Sequence, residues 1–103
     1  MLARTWAAAR KAAGFKVVCG TLYARNVSGD YTAAKATQRD AFNTLLRNSK
    51  DTVFDAIADF DTDTTLVPIS LVDFPDNLHP GIPGYRKAVP ILLNAIVSLL
   101  PSI

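Results

Sequence analysis

The chain has one histidine, His79, and it lies three residues after Asp76 in the segment Phe74-Pro75-Asp76-Asn77-Leu78-His79-Pro80. An imidazole is the side chain best suited to move a proton near neutral pH. A carboxylate bonded to one ring nitrogen fixes the tautomer and stabilises the imidazolium that forms. Pro75 and Pro80 stiffen the turn and reduce the freedom lost when the pair is held for reaction. Asp76 and His79 are therefore the candidate orienting group and general base. The competing reading uses the same residues: a surface loop in which Asp76 makes a local Asx turn and His79 is merely exposed.

A base performs hydrolysis only beside a nucleophile, and none is evident. Ser28, Ser49, Ser70, Ser98 and Ser102 lack a surrounding motif that would expose and activate a hydroxyl. Cys19, the single cysteine, sits in the apolar run Val17-Val18-Cys19-Gly20 and reads as a buried structural thiol. A lone cysteine allows no intrachain disulfide.

Two other segments invite chemistry. Asp59-Phe60-Asp61-Thr62-Asp63 begins like a calcium loop, but the sixth position is Thr64 rather than glycine and the twelfth is Ser70 rather than glutamate. It reads instead as a strand end passing into a solvated, helix-capping loop. Gly81-Ile82-Pro83-Gly84 echoes a backbone-binding loop, yet Pro83 removes an amide donor, so it reads as a turn. Without a phosphate loop, dinucleotide fingerprint or zinc-spaced cluster, neither cofactor nor metal is expected.

The elements that must position Asp76 and His79 follow from apolar spacing and punctuation. Residues 2–13 are helix-like and stop at Gly14, residues 16–22 read as a buried strand, and residues 23–30 as a loop. Residues 32–48 return to helical spacing, with Ala36, Ala41, Phe42, Leu45 and Leu46 as an apolar face. Residues 53–60 hold a second short strand around Ala56-Ile57-Ala58, and residues 66–72 are apolar but broken by Pro68. Pro83-Gly84 opens a last helix that Pro90 should kink or delay. This order predicts a three-layer α/β fold with about two parallel strands and three helices. Two parallel strands leave an open edge and little shared core, so residues 1–103 read as one partial domain. The last helix also carries too many apolar residues for a one-sided stripe, so something should cover its other side.

Eleven basic and nine acidic residues, all aspartate, give a net charge of +2, too little to predict a nucleic-acid partner from charge. Residues 1–29 hold Arg4, Arg10, Lys11, Lys16 and Arg25 but no acid, a balance that resembles a transit peptide. The run from an alanine-rich segment through Gly14 into an apolar strand favours a place in the fold. No secretory apolar core opens the sequence, and residues 88–100 fall short of the roughly 20 residues that span a bilayer.

From about Gly14 to Leu100 the chain resembles the C-terminal half of an SGNH, or GDSL-type, esterase and lipase. The carrying residues are Val17-Val18-Cys19-Gly20-Thr21-Leu22 as a late central strand, residues 54–60 as the last strand, and Asp76-Asn77-Leu78-His79-Pro80 followed by Gly84-Tyr85-Arg86. The resemblance implies a flavodoxin-like three-layer fold in which Asp76 orients His79. His79 would activate a serine and then protonate the leaving alcohol, with no metal or cofactor. The family's Gly-Asp-Ser block and its later Gly and Gly-x-Asn-Asp blocks precede the matched region and do not occur here. Ser28-Gly29-Asp30 has related composition in the wrong order, so no nucleophile is assigned in this chain. Tyr23 and Arg25 follow a strand on the usual ligand side, with no role assigned.

Two classes of function follow. One is the base-bearing part of a serine ester hydrolase, with an ester substrate and a complementary N-terminal half or a second copy as partner, and inactive alone. The other is a non-catalytic α/β interaction module that binds through its sheet edge and last helix. Nucleic-acid binding through the basic N-terminal segment is a third and weaker reading. Family members are often secreted, but the compartment is left open.

Overall fold

Alanine and straight-chain residues favour a first helix, α1 (Leu2–Ala12), and Gly14 ends it in the left-handed region at φ +94. The Gly14 amide donates to the Lys11 carbonyl at 3.0 Å and the Phe15 amide to that of Arg10 at 3.0 Å, closing the helix and turning the chain into the sheet. A computed structural model describes residues 2–23, 25, 31–62, 71–76 and 78–101 of the 103. The order continues through β1 (Val18–Gly20), α2 (Ala33–Asn48), β2 (Ala56–Ala58) and α3 (Ile82–Val97). Thr32 caps α2 by accepting the Lys35 amide at 3.3 Å.

The two strands pair in parallel, Val18 opposite Ala56, Cys19 opposite Ile57 and Gly20 opposite Ala58. The period-2 alternation of strands sorts their side chains into two packed faces. Cys19 and Ile57 pack with Ala7 of α1, Leu46 of α2, Val17, Val53 and Phe54. Val18, Ala56 and Ala58 pack with Ala95, Ile91 and Leu99 on the α3 side. The expected α/β architecture, helices on both faces of a two-stranded parallel sheet, is thus observed. The ladder is shorter than the apolar runs suggest because Asp55 takes over at its amino end: the Val17 amide donates to the Asp55 carboxylate at 2.7 Å.

Both edges of this sheet lack a third strand among the described residues. The Thr21 amide donates to the Ala58 carbonyl and the Ala56 amide to that of Val17. Alternation in a parallel ladder therefore turns the backbone groups of Val18 and Gly20 away from β2. Two residues past Gly20, beyond the end of β1, Asn43 of α2 stands in for a neighbouring strand: its Oδ1 accepts the Leu22 amide at 2.8 Å and its Nδ2 donates to the Leu22 carbonyl at 3.0 Å.

Helix α3 turns one stripe at helical spacing inward: Gly84 and Ala88 face the segment of Asp73 and Phe74, while Ile91 and Ala95, with Leu99 just past the helix end, pack on the sheet. Pro90 sits inside the helix and does not delay its start, which falls at Ile82. One flank borders a groove of about 850 Å³ against Ile57 and Asp59 at the β2 edge. The opposite flank, Tyr85, Val89, Leu92 and Ile96, is exposed and lies on the β1 side. Of the predicted apolar segment 66–72, residues 66–70 lie outside the described residues, and Leu71 and Val72 form an exposed turn. No helix among the described residues is long and apolar enough to cross a membrane.

Asn43 is fully buried and both polar ends of its side chain are used, so Asn43→Leu strands two backbone groups of Leu22. Leu22 is itself exposed, so the expected loss is about 0.5–1.5 kcal/mol for each hydrogen bond removed, read as a lower urea midpoint with unchanged slope.

Candidate functional site

The segment carrying Asp76 and His79 is anchored by one aromatic residue. Phe74 is buried against Ala88, and its ring meets Tyr23 edge-on at 5.9 Å between centroids. Tyr23 in turn packs on Phe60 at 5.1 Å. Tyr23 follows β1 and Phe60 follows β2, so the turn stands over the carboxyl ends of both strands. Ligands bind at that end of an open α/β sheet.

Two further contacts fix the base of the turn. The Gly81 amide donates to the Asp73 carbonyl at 2.8 Å, and Lys87 of α3 donates to the buried Asp73 carboxylate at 2.7 Å. Gly84 lets the first turn of α3 close on this segment: a Cβ there would collide with the Asp73 carbonyl oxygen and lie 3.1 Å from Pro80 Cβ. The Gly84-Tyr85 pair noted in the sequence thus has a steric reason in its glycine.

Within the turn one carboxylate does three things. Asp76 Oδ1 accepts the amides of Leu78 at 2.9 Å and His79 at 2.6 Å, while Oδ2 meets His79 Nδ1 at 2.6 Å. The Asx turn and the Asp–His pair, which the sequence presents as alternatives, are one structure. The bond to the His79 ring, followed by the two amides, holds the Asp76 carboxyl well below the usual carboxylate range. Both side chains are exposed, 56% for Asp76 and 71% for His79. The edge of the ring bearing Nε2 is thereby left accessible.

The other hydroxyls and thiol stand elsewhere. Ser49 is buried at the end of α2 and its Oγ donates to the Leu45 carbonyl at 2.7 Å, at the amino end of β2. Ser98 donates to the Ala95 carbonyl at the far end of α3, which at about 1.5 Å per residue is roughly 24 Å from its start beside His79. Ser28, Ser70 and Ser102 lie outside the described residues, as do Asp63 and Asn77. Cys19 is half-buried in β1 rather than fully buried, and that burial pushes its thiol up.

Asp59 and Asp61 depart from the expected solvated, capping loop. Arg47 of α2 donates to Asp59 at 2.7 and 3.1 Å and to Asp61 at 2.7 Å, and Thr21 Oγ1 donates to Asp59 at 3.1 Å. Burial opposes ionisation of Asp59, but the bonds from Arg47, Thr62 and Thr21 outweigh it and hold its carboxyl well below the usual range. These acids tie α2 to the carboxyl end of β2 rather than capping a helix. Sequence reasoning also passed over Asn43, Arg39 and Lys87. Asn43 alone left a signal, a polar side chain one helical step before Leu46 on the apolar face of α2.

Beside the turn lies a pocket of about 270 Å³ lined by Leu22, Tyr23, Arg25, Tyr31, Arg39 and Leu78. It shares Leu78 with the Asx turn. Comparison with protein-family models, curated proteins and solved structures finds no match to this chain.

Two measurements check the geometry. Gly84→Ala is expected to lower stability by about 1–3 kcal/mol in urea unfolding and to shift the amide resonances of Leu78 and His79. An acid titration of the Asp76 carboxyl carbon should place its midpoint below the reference value of about 3.9. A depressed folded value means that its stabilisation is present above that reference and is lost as pH falls through the folded midpoint. His79→Ala removes the largest cause and is expected to raise the midpoint.

Proposed function

We propose that this chain is the base-supplying C-terminal part of a serine ester hydrolase of the SGNH type. The observation that supports it most is the 2.6 Å contact between His79 Nδ1 and Asp76 Oδ2, held over the carboxyl ends of parallel strands. With Nδ1–H donating to Asp76, Nε2 carries the lone pair and serves as the base. His79 would take the proton of a serine hydroxyl as that oxygen attacks the ester carbonyl. It would then hand the proton to the leaving alcohol, and water would release the acyl group by the reverse sequence. Asp76 stays ionised throughout.

The serine and the oxyanion donors must come from outside these residues. The open outer edge of β1, with the apolar Tyr85, Val89, Leu92 and Ile96 flank of α3 beside it, suits a further strand from a complementary half. The same surface also favours a second reading, a non-catalytic α/β module that associates through that edge.

Mixing the full chain with a serine-bearing N-terminal half of the family separates the two. Ester hydrolysis is expected in the mixture and a drop of about 10²–10⁴-fold with His79→Ala, the usual contribution of a general base. Association without hydrolysis, or hydrolysis indifferent to His79→Ala, would instead support the module.

A further inference from the structure

We propose that the pocket beside the Asp76–His79 turn is a binding site for a small monocarboxylate with an apolar body. Its chemistry is stated by what its walls leave unused. Arg25 stands over the Tyr31 ring, with the guanidinium carbon 4.6 Å from the centroid. No carboxylate among the described residues pairs with it, whereas Lys11, Arg39, Arg47 and Lys87 each have an acidic partner. Three polar atoms of this one pocket, Arg25 Nε, Tyr31 Oη and Arg39 Nε, are buried without a hydrogen-bond partner among the described residues. Buried donors left open in this way call for a ligand or ordered water.

The sign and valence of the ligand follow from the charges. Arg39 spends its charge on Asp40 at 2.5 Å and Asp61 at 3.6 Å and also donates to the Tyr23 carbonyl at 3.0 Å. Among the described residues that line the pocket, Arg25 is left as the uncompensated cation, enough for one negative charge. A carboxylate offers two acceptor oxygens to the guanidinium and the Tyr31 hydroxyl. A phosphate dianion would bring a second charge that no free cation of the pocket meets. The remaining walls, Leu22, Leu78 and the Tyr23 ring, are apolar and suit a hydrocarbon or aromatic body. The volume of about 270 Å³ lies at the small end of ligand pockets.

This site does not depend on the ester-hydrolase reading, because binding is measured without turnover. The test titrates the full chain with benzoate, benzamide and phenyl phosphate at fixed ionic strength, by calorimetry and amide chemical shifts. Saturable benzoate binding is expected, with shifts at Tyr31 and Leu78 and at least tenfold weaker binding of benzamide and phenyl phosphate. Arg25→Gln should weaken benzoate at least tenfold, Arg25→Lys less, and Arg86→Gln, on the far flank of α3, not at all. Tyr31→Phe keeps the ring under Arg25 and removes only the hydroxyl, so it should weaken benzoate several-fold in a folded chain. Equal binding of benzoate and benzamide, tighter binding of phenyl phosphate, no binding, or benzoate binding unaffected by both Arg25→Gln and Tyr31→Phe would overturn the proposal.

Discussion

The contact of Tyr23 with Phe60 and Phe74 is the constraint on which the rest of this structure depends. Two strands of three residues each supply few ladder hydrogen bonds. The segments leaving their carboxyl ends are held together instead by ring contacts at 5.1 and 5.9 Å. Aromatic pairs of this kind contribute about 0.5–1.5 kcal/mol beyond the area they bury. Their placement matters more than their strength. Phe74 sits two residues before Asp76, so the cluster decides where the Asx turn stands relative to the sheet.

Polar groups then lock what the rings place. Asn43 pairs with Leu22 as a neighbouring strand would, and Arg47 gathers Asp59 and Asp61 beneath the same end of the sheet. Lys87 and Gly84 bring α3 against Asp73. The carboxyl end of the sheet is thus tied to α2 and α3 through their side chains. The outer edge of β1 and the neighbouring flank of α3 carry no comparable cover among the described residues.

Much of this was legible in the sequence because it rests on short-range pattern. Gly14 marked the end of α1, Thr32 the start of α2, and Asp76 with His79 the turn before α3. What the sequence hid was long-range. Asp59 and Asp61 read as a solvated loop because their partner, Arg47, is twelve and fourteen residues away on another element. Asn43 drew no reading from the sequence because its partner, Leu22, is twenty-one residues away on another segment. The apolar strand run of residues 16–22 overstated β1, since a side chain, Asp55, takes the Val17 amide at its amino end. Arg25 could be placed on the ligand side of the sheet from its position after a strand, but its stacking on Tyr31 required the fold.

The central claim is that Asp76 holds His79 as the Nδ1–H tautomer and so leaves Nε2 free to act as the base. Nitrogen-15 NMR of the histidine ring near pH 8 tests this directly, because the two ring nitrogens report which one carries the proton. The account predicts a protonated Nδ1 and an unprotonated Nε2 in the wild-type chain, with that preference weakened in Asp76→Asn. A wild-type ring protonated chiefly at Nε2, or a tautomer balance unchanged by Asp76→Asn, would contradict it.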